Sequence, residues 1–94
     1  MPAIVRLGDL GSGHGCWPAR INDSASPDVY ADGIKVHRLG DHWIPHTCEA
    51  DTHDGYLSTA STTVFANGIA VGRVGDAISC GSTCAQGSST VFAG

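Results

Sequence analysis

His53 opens the stretch "HDGYLSTASTTVFA", and Cys80 opens "CGSTCAQGSSTVFA"; the two align without a gap through Ala66 and Ala93. Histidine and cysteine are the side chains that best bind a soft or borderline metal. A repeat that exchanges one for the other at its head points to metal ligation. A third candidate, His14 in "GHGC", lies in the corresponding loop of the longer first repeat. Ligands from three repeats converge on one axis, which suits a single metal ion. A structural zinc takes four tetrahedral nitrogen or sulfur ligands, so a fourth is expected from the middle loop "DHWIPHTCEADTH". That loop offers His42, His46 and Cys48. His46 stands mid-loop, nearest the turn, and the expected set is His14, His46, His53 and Cys80. His42, Cys16 and Cys48 stay open as alternatives, because "HGC" and "HTC" stand at matching places after a Gly-Asp pair.

Other chemistries fit less well. His42 and His46 have the i, i+4 spacing of a protease zinc pair, but Pro45 lies between them and no Glu follows His42. The helical motif therefore fails. A site filled by four protein ligands has no position for substrate, so it staples rather than catalyses. A small zinc hydrolase, with Glu49 or Asp51 as base, is the competing class and would need an open coordination position. Cys84 has no counterpart in the other repeats and is expected to pack in the interior. His37 is expected in a strand wall, with its hydrogen bonds satisfied.

These residues need strands to hold them. "VYADGIKVHRLGD", Val29 to Asp41, matches "VFANGIAVGRVGD", Val64 to Asp76, without a gap. Asp-Gly and Asn-Gly favour tight hairpin turns with positive φ at both central residues, so Asp32-Gly33 and Asn67-Gly68 each turn a hairpin. Ile34 with Val36, and Ile69 with Val71, should share one side of the returning strands. The chain ends "VFAG" and begins "PAIVRLGD". Joined, they make a third unit, a hairpin formed by the two termini. The fold expected is all-β: a small cone of three pseudo-three-fold hairpin repeats without significant helix, closed so that no sheet edge is left. Residues 1–94 form a single domain. The Asp of each Gly-Asp pair (Asp9, Asp41, Asp76) is read as a turn cap, and Pro18 to Asp28 as a surface loop.

The bulk composition narrows the class. With 13 glycines and 15% charged residues in 94, helices are disfavoured, and 41% hydrophobic residues is too many for a disordered tail. The net charge of −4 gives no electrostatic reason to bind nucleic acid. "MPAIVRLGD" has no long apolar run, so no signal peptide or membrane span is expected and synthesis is expected in a cytosol. In such a compartment four cysteines favour thiols or metal ligands over disulfides.

The repeated "VHRLGD" and "VGRVGD", the "GHGC" and the His/Cys-bearing middle loop resemble the PAAR-repeat family. The namesake tetrapeptide is degenerate here ("AIVR", "KVHR", "AVGR"), but Arg and the following Gly-Asp stand in all three units. The resemblance covers essentially the whole chain. It implies a sharp tip that caps the trimeric β-helical spike of a contractile phage tail or a type VI secretion system. It implies one zinc ion, iron being possible, held near the vertex by three His and one Cys. The positions it carries over are the four named above, with His42 or His46 left open. One tip per trimer is expected, monomeric when free and in transient contact with a target outer membrane. The spike-facing end would carry Asp32, Gly33, Asn67, Gly68, Phe65 and Phe92. An adaptor that loads cargo onto a spike is a further alternative.

Overall fold

Asp32-Gly33 and Asn67-Gly68 turn hairpins as their sequence dictates: φ is 55° and 75° in the first pair and 57° and 74° in the second. The computed structural model describes residues 1–94. It contains strands and turns only: β1 (Leu10–Gly11), β2 (Arg20–Ile21), β3 (Tyr30–Ala31), β4 (Ile34–Lys35), β5 (His42–Cys48), β6 (Asp51–Tyr56), β7 (Phe65–Ala66) and β8 (Ile69–Ala70). They pair as antiparallel hairpins, β1 with β2, β3 with β4, β5 with β6 and β7 with β8. The termini add another pairing, Ala3 opposite Phe92.

Three of these hairpins repeat one another bond for bond. Val36, Val71 and Ile4 donate their backbone N–H to Val29, Val64 and Val91, at 2.9, 3.1 and 3.0 Å. The repeats then lock to each other in rings. Val5 N–H bonds Gly72 O (2.9 Å), Gly72 N–H bonds His37 O (2.8 Å), and His37 N–H bonds Val5 O (2.9 Å). A serine ring closes nearby. Ser26 donates to Asn67 Oδ1 (2.5 Å), Ser61 to Gly94 O (2.5 Å) and Ser88 to Asp32 Oδ2, so each repeat grips the turn of another. The two chain ends thereby complete the pseudo-three-fold figure. The molecule is elongated, with principal extents of 38 × 23 × 22 Å.

The Arg-x-Gly-Asp motifs cap their turns three times over. Asp9, Asp41 and Asp76 each accept the backbone N–H of their own Arg at 2.8 Å and pair with its guanidinium. This fixes the corner at which each strand leaves its hairpin.

Two apolar clusters fill the interior. One, against the hairpin turns, joins Ile4, Val36 and Val71 with Ala31, Ala66 and Ala93, again in threes. The other joins Val5, Trp43, Leu57, Ile78 and Cys84, with Cys80 packed against it. Ile34 and Ile69 do not join the core as the period-two pattern predicts; they are exposed while Val36 and Val71 are buried. The ladder at each turn is only two residues long, so the strand has bent onto its next partner before Val36 or Val71.

Two expectations about loops are corrected. The middle "loop" is the longest hairpin, β5–β6. Pro45 disguises it, but Pro45 falls in the register shift between Trp43 and His46, where a lost N–H costs no ladder bond. The bulge is also needed. Trp43 and His46 are an odd number of residues apart, and only an extra residue lets both face inward; they are 0% and 4% exposed. The supposed surface loop Pro18 to Asp28 contains β2 and buries Arg20, Asn22 and Ser26.

Candidate metal centre

His46 and His53 stand directly opposite each other on β5 and β6. On β6, His53 and Gly55 share one face by the strand period, and Leu57, just past its end, continues that face. His14 sits in the tight turn between β1 and β2, where it exchanges backbone bonds with Trp17 at 3.0 and 2.9 Å. Cys80 sits in the turn closed by Ile78 N–H to Ser82 O (2.9 Å). These four residues meet. His14 Nε2 is 3.1 Å from His53 Nε2, which is 2.6 Å from His46 Nε2. With Cys80 Sγ, one ligand atom from each lies within 4.8 Å of every other. No carboxylate belongs to the group.

The donor set fits a tetrahedral metal. Nitrogens about 2.1 Å from a tetrahedral ion lie about 3.4 Å apart, with sulfur slightly farther. His46 Nδ1–H donates to Pro18 O at 2.7 Å, which fixes the tautomer and leaves the Nε2 lone pair aimed at the centre. Three ring nitrogens this close are compatible with one shared cation. Burial pushes the His46 pKa down, and the positive charge of Arg20 adds to that. The ring is thus kept neutral, as a ligand must be. Burial alone would raise the Cys80 pKa, but hydrogen bonds with the Ser82 backbone and hydroxyl and with Arg20 outweigh it and lower it. Cys84 behaves oppositely: burial, with the negative charge of Asp76 adding to it, pushes its thiol up to about 12.

The alternative ligands lie elsewhere. Cys16 and Cys48 are joined to each other as a disulfide, Cα atoms 5.4 Å apart, so neither sulfur is free for a metal. This corrects both their candidacy and the expectation of free thiols. The bond ties the His14 turn to the end of β5, two residues beyond His46. His42 is outside the group: Nδ1 meets Asp23 at 2.7 Å and Nε2 meets Asp54 at 2.8 Å. His37 only half matches its expectation. Its Nδ1 bonds Ser24 O at 2.8 Å, but Nε2 has no partner.

The profile of the PAAR motif matches residues 17–86, well over half of the 94. The chain belongs to the PAAR-motif family. No curated protein matches the chain. The matched PAAR segment contains His46, His53 and Cys80, while His14 lies just before it.

Two residues around this PAAR centre escaped the sequence. Trp17 stacks on His14 at 5.1 Å and lies 5.0 Å from the His53 ring, screening one side of the group. Its place directly after "GHGC" was the available signal. Arg20, 5% exposed, donates from Nη2 to Cys80 Sγ at 2.9 Å. It was hidden in a segment whose Pro, Ser and Asp content reads as loop.

At the opposite side of the first apolar cluster lie the turn residues Asp32, Gly33, Asn67 and Gly68, all exposed. Phe65 and Phe92 are 56% and 47% exposed, and Tyr30, their counterpart in the first repeat, is 55% exposed. No helix of the chain is long and apolar enough to cross a membrane.

Proposed function

We infer from its PAAR-motif membership that this chain takes a place at the spike tip of a contractile injection system. We propose that this chain is the zinc-stapled cap of a trimeric β-helical spike and helps pierce a target envelope. The observation that carries the proposal is the His14–His46–His53–Cys80 group, assembled from three repeats within 4.8 Å.

The physical argument is one of volume. Below the group, strands can pack valine, tryptophan and leucine. At the narrow end little apolar surface remains to bury, and a metal bonded to four side chains replaces a core there. Zinc, if bound, supplies four strong bonds and no reactive position. His14 brings the β1–β2 turn, His46 and His53 the long hairpin, and Cys80 the last turn. Pinning these separates a rigid point from a loose bundle of loops. Three histidines and one cysteine would fill all four tetrahedral positions, which favours a tip over a hydrolase.

The other end suits a three-fold partner. Three hairpins related by pseudo-symmetry let one monomer meet all three chains of a trimer. Phe65, Phe92 and Tyr30 are exposed there as a matched set, and turn and strand edges can continue a β-helix.

The test joins two measurements on the purified chain. Elemental analysis should find about one zinc per chain, lost in His53→Ala and Cys80→Ala. Mixed with the trimeric spike of its own machine, the chain should form a complex of one tip per trimer, read by light scattering. Metal retained in both variants overturns the ligand set; no complex with the spike overturns the cap.

A further inference from the structure

We propose that Arg20 is a positioning residue of the metal centre, holding the Cys80 sulfur toward the histidines and drawing charge from it through an N–H···S bond. The inference rests on the metal-centre assignment above and adds a residue to it.

Arg20 differs from the chain's other arginines. Arg6, Arg38 and Arg73 each pair with the Asp of their own Arg-x-Gly-Asp turn. Arg20 makes no ion pair with a carboxylate, although it is 5% exposed. A guanidinium buried without an anion is strongly unfavourable. Its surroundings show what meets the charge. Nε donates to Ile44 O at 3.0 Å, Nη1 to Ser82 Oγ at 3.1 Å and Nη2 to Cys80 Sγ at 2.9 Å. The Trp43 ring lies 5.7 Å beneath the guanidinium carbon. Of these neighbours only the cysteine sulfur can carry a full negative charge.

The geometry is built rather than incidental. Ile44 and Trp43 belong to β5, Ser82 follows the Cys80 turn, and Arg20 itself lies on β2. The guanidinium thus ties three separate segments at the sulfur. Ser82, 1% exposed, also lies 3.6 Å from the sulfur and completes a triangle with Arg20. Gly55 leaves the necessary room, because a Cβ there would stand 3.2 Å from Arg20 Nη2 and 3.3 Å from Cys80 Sγ. Hydrogen bonds to a metal-bound sulfur orient it and reduce its electron donation, and such outer partners tune metal affinity.

The experiment uses the full chain loaded with cobalt(II), whose sulfur-to-metal charge-transfer band reports the thiolate directly. Arg20→Met should shift that band to longer wavelength and weaken metal binding by roughly 10- to 100-fold in a chelator competition. Arg20→Lys, which can return one N–H donor to the sulfur, should recover part of the shift. Ser82→Ala is measured beside them; it removes the other polar neighbour while leaving Arg20 in place, and should shift the band less. A purely structural Arg20 would lower the melting temperature of Arg20→Met and leave the band unmoved, which overturns the inference. If Arg20→Met does not fold, Arg20→Gln, which carries no charge and is too short to reach the sulfur, takes its place, and an unmoved band there does the same. A parent chain that gives no sulfur-to-cobalt band overturns the metal centre itself, a failure distinct from that of Arg20.

Discussion

Gly55→Ala adds a single methyl group behind the proposed metal centre. The backbone tolerates it, since Gly55 does not lie in the left-handed region. Away from a crowded site, the exchange should stabilise by about 0.4–1 kcal/mol through the unfolded chain. Here the new Cβ stands 2.9 Å from Ile78 Cγ2, 3.2 Å from Arg20 Nη2 and 3.3 Å from Cys80 Sγ. Ile78 is buried and β-branched, so it yields little. Overpacking of this kind costs about 1–3 kcal/mol. Subtracting the entropic gain leaves a loss on the order of 1–2 kcal/mol, or about 5–15 °C in melting temperature for a domain this small. Metal binding should also weaken, because sulfur and guanidinium must retreat by a few tenths of an ångström and metal–ligand distances are held within about 0.2 Å. The assays are thermal denaturation and chelator competition. Gly68→Ala is the control: nothing lies within 4 Å of its Cβ, but its φ is 74°. It should cost about 1–2 kcal/mol in backbone strain and leave metal affinity intact. Gly55→Ala with unchanged stability and unchanged affinity would refute the packing argument.

Reducing the Cys16–Cys48 bond, or replacing both cysteines by serine, should destabilise the fold by roughly 3–4 kcal/mol, the chain-entropy value for a loop with this separation of 32 residues. Urea denaturation with and without reductant measures it; coincident curves would show that the bond constrains nothing. His42 should give stability an acid-side component. Hydrogen bonds with Asp54 and Asp23 raise its pKa. Its contribution is therefore fully present below the ordinary imidazole value, about 6.5, and is lost as pH rises through the higher folded value. The melting temperature of the parent minus that of His42→Gln should shrink between about pH 6 and pH 8; a difference independent of pH would show that the Asp–His–Asp contact carries no charge.

The sequence by itself determined the three repeated hairpins and their symmetry. Asp32-Gly33 and Asn67-Gly68 require positive φ wherever they occur, and the capping Asp of each Arg-x-Gly-Asp acts on a backbone N–H only three residues away. Such effects are local, so they can be read along the chain. The aligned heads of the repeats brought His53 and Cys80 to notice for the same reason. Tertiary structure decided what depends on contacts distant in sequence. The β5–β6 hairpin hides behind Pro45, because a bulge that buries both Trp43 and His46 is favoured only once a core exists to receive them. Cys16 and Cys48 each look like metal ligands until the fold brings their Cα atoms within 5.4 Å of each other. Arg20 lies in a stretch with every mark of a loop, and its meaning comes from Cys80, sixty positions later in the chain. A buried charge takes its role from whatever the fold places against it, and no local pattern in the sequence records that partner.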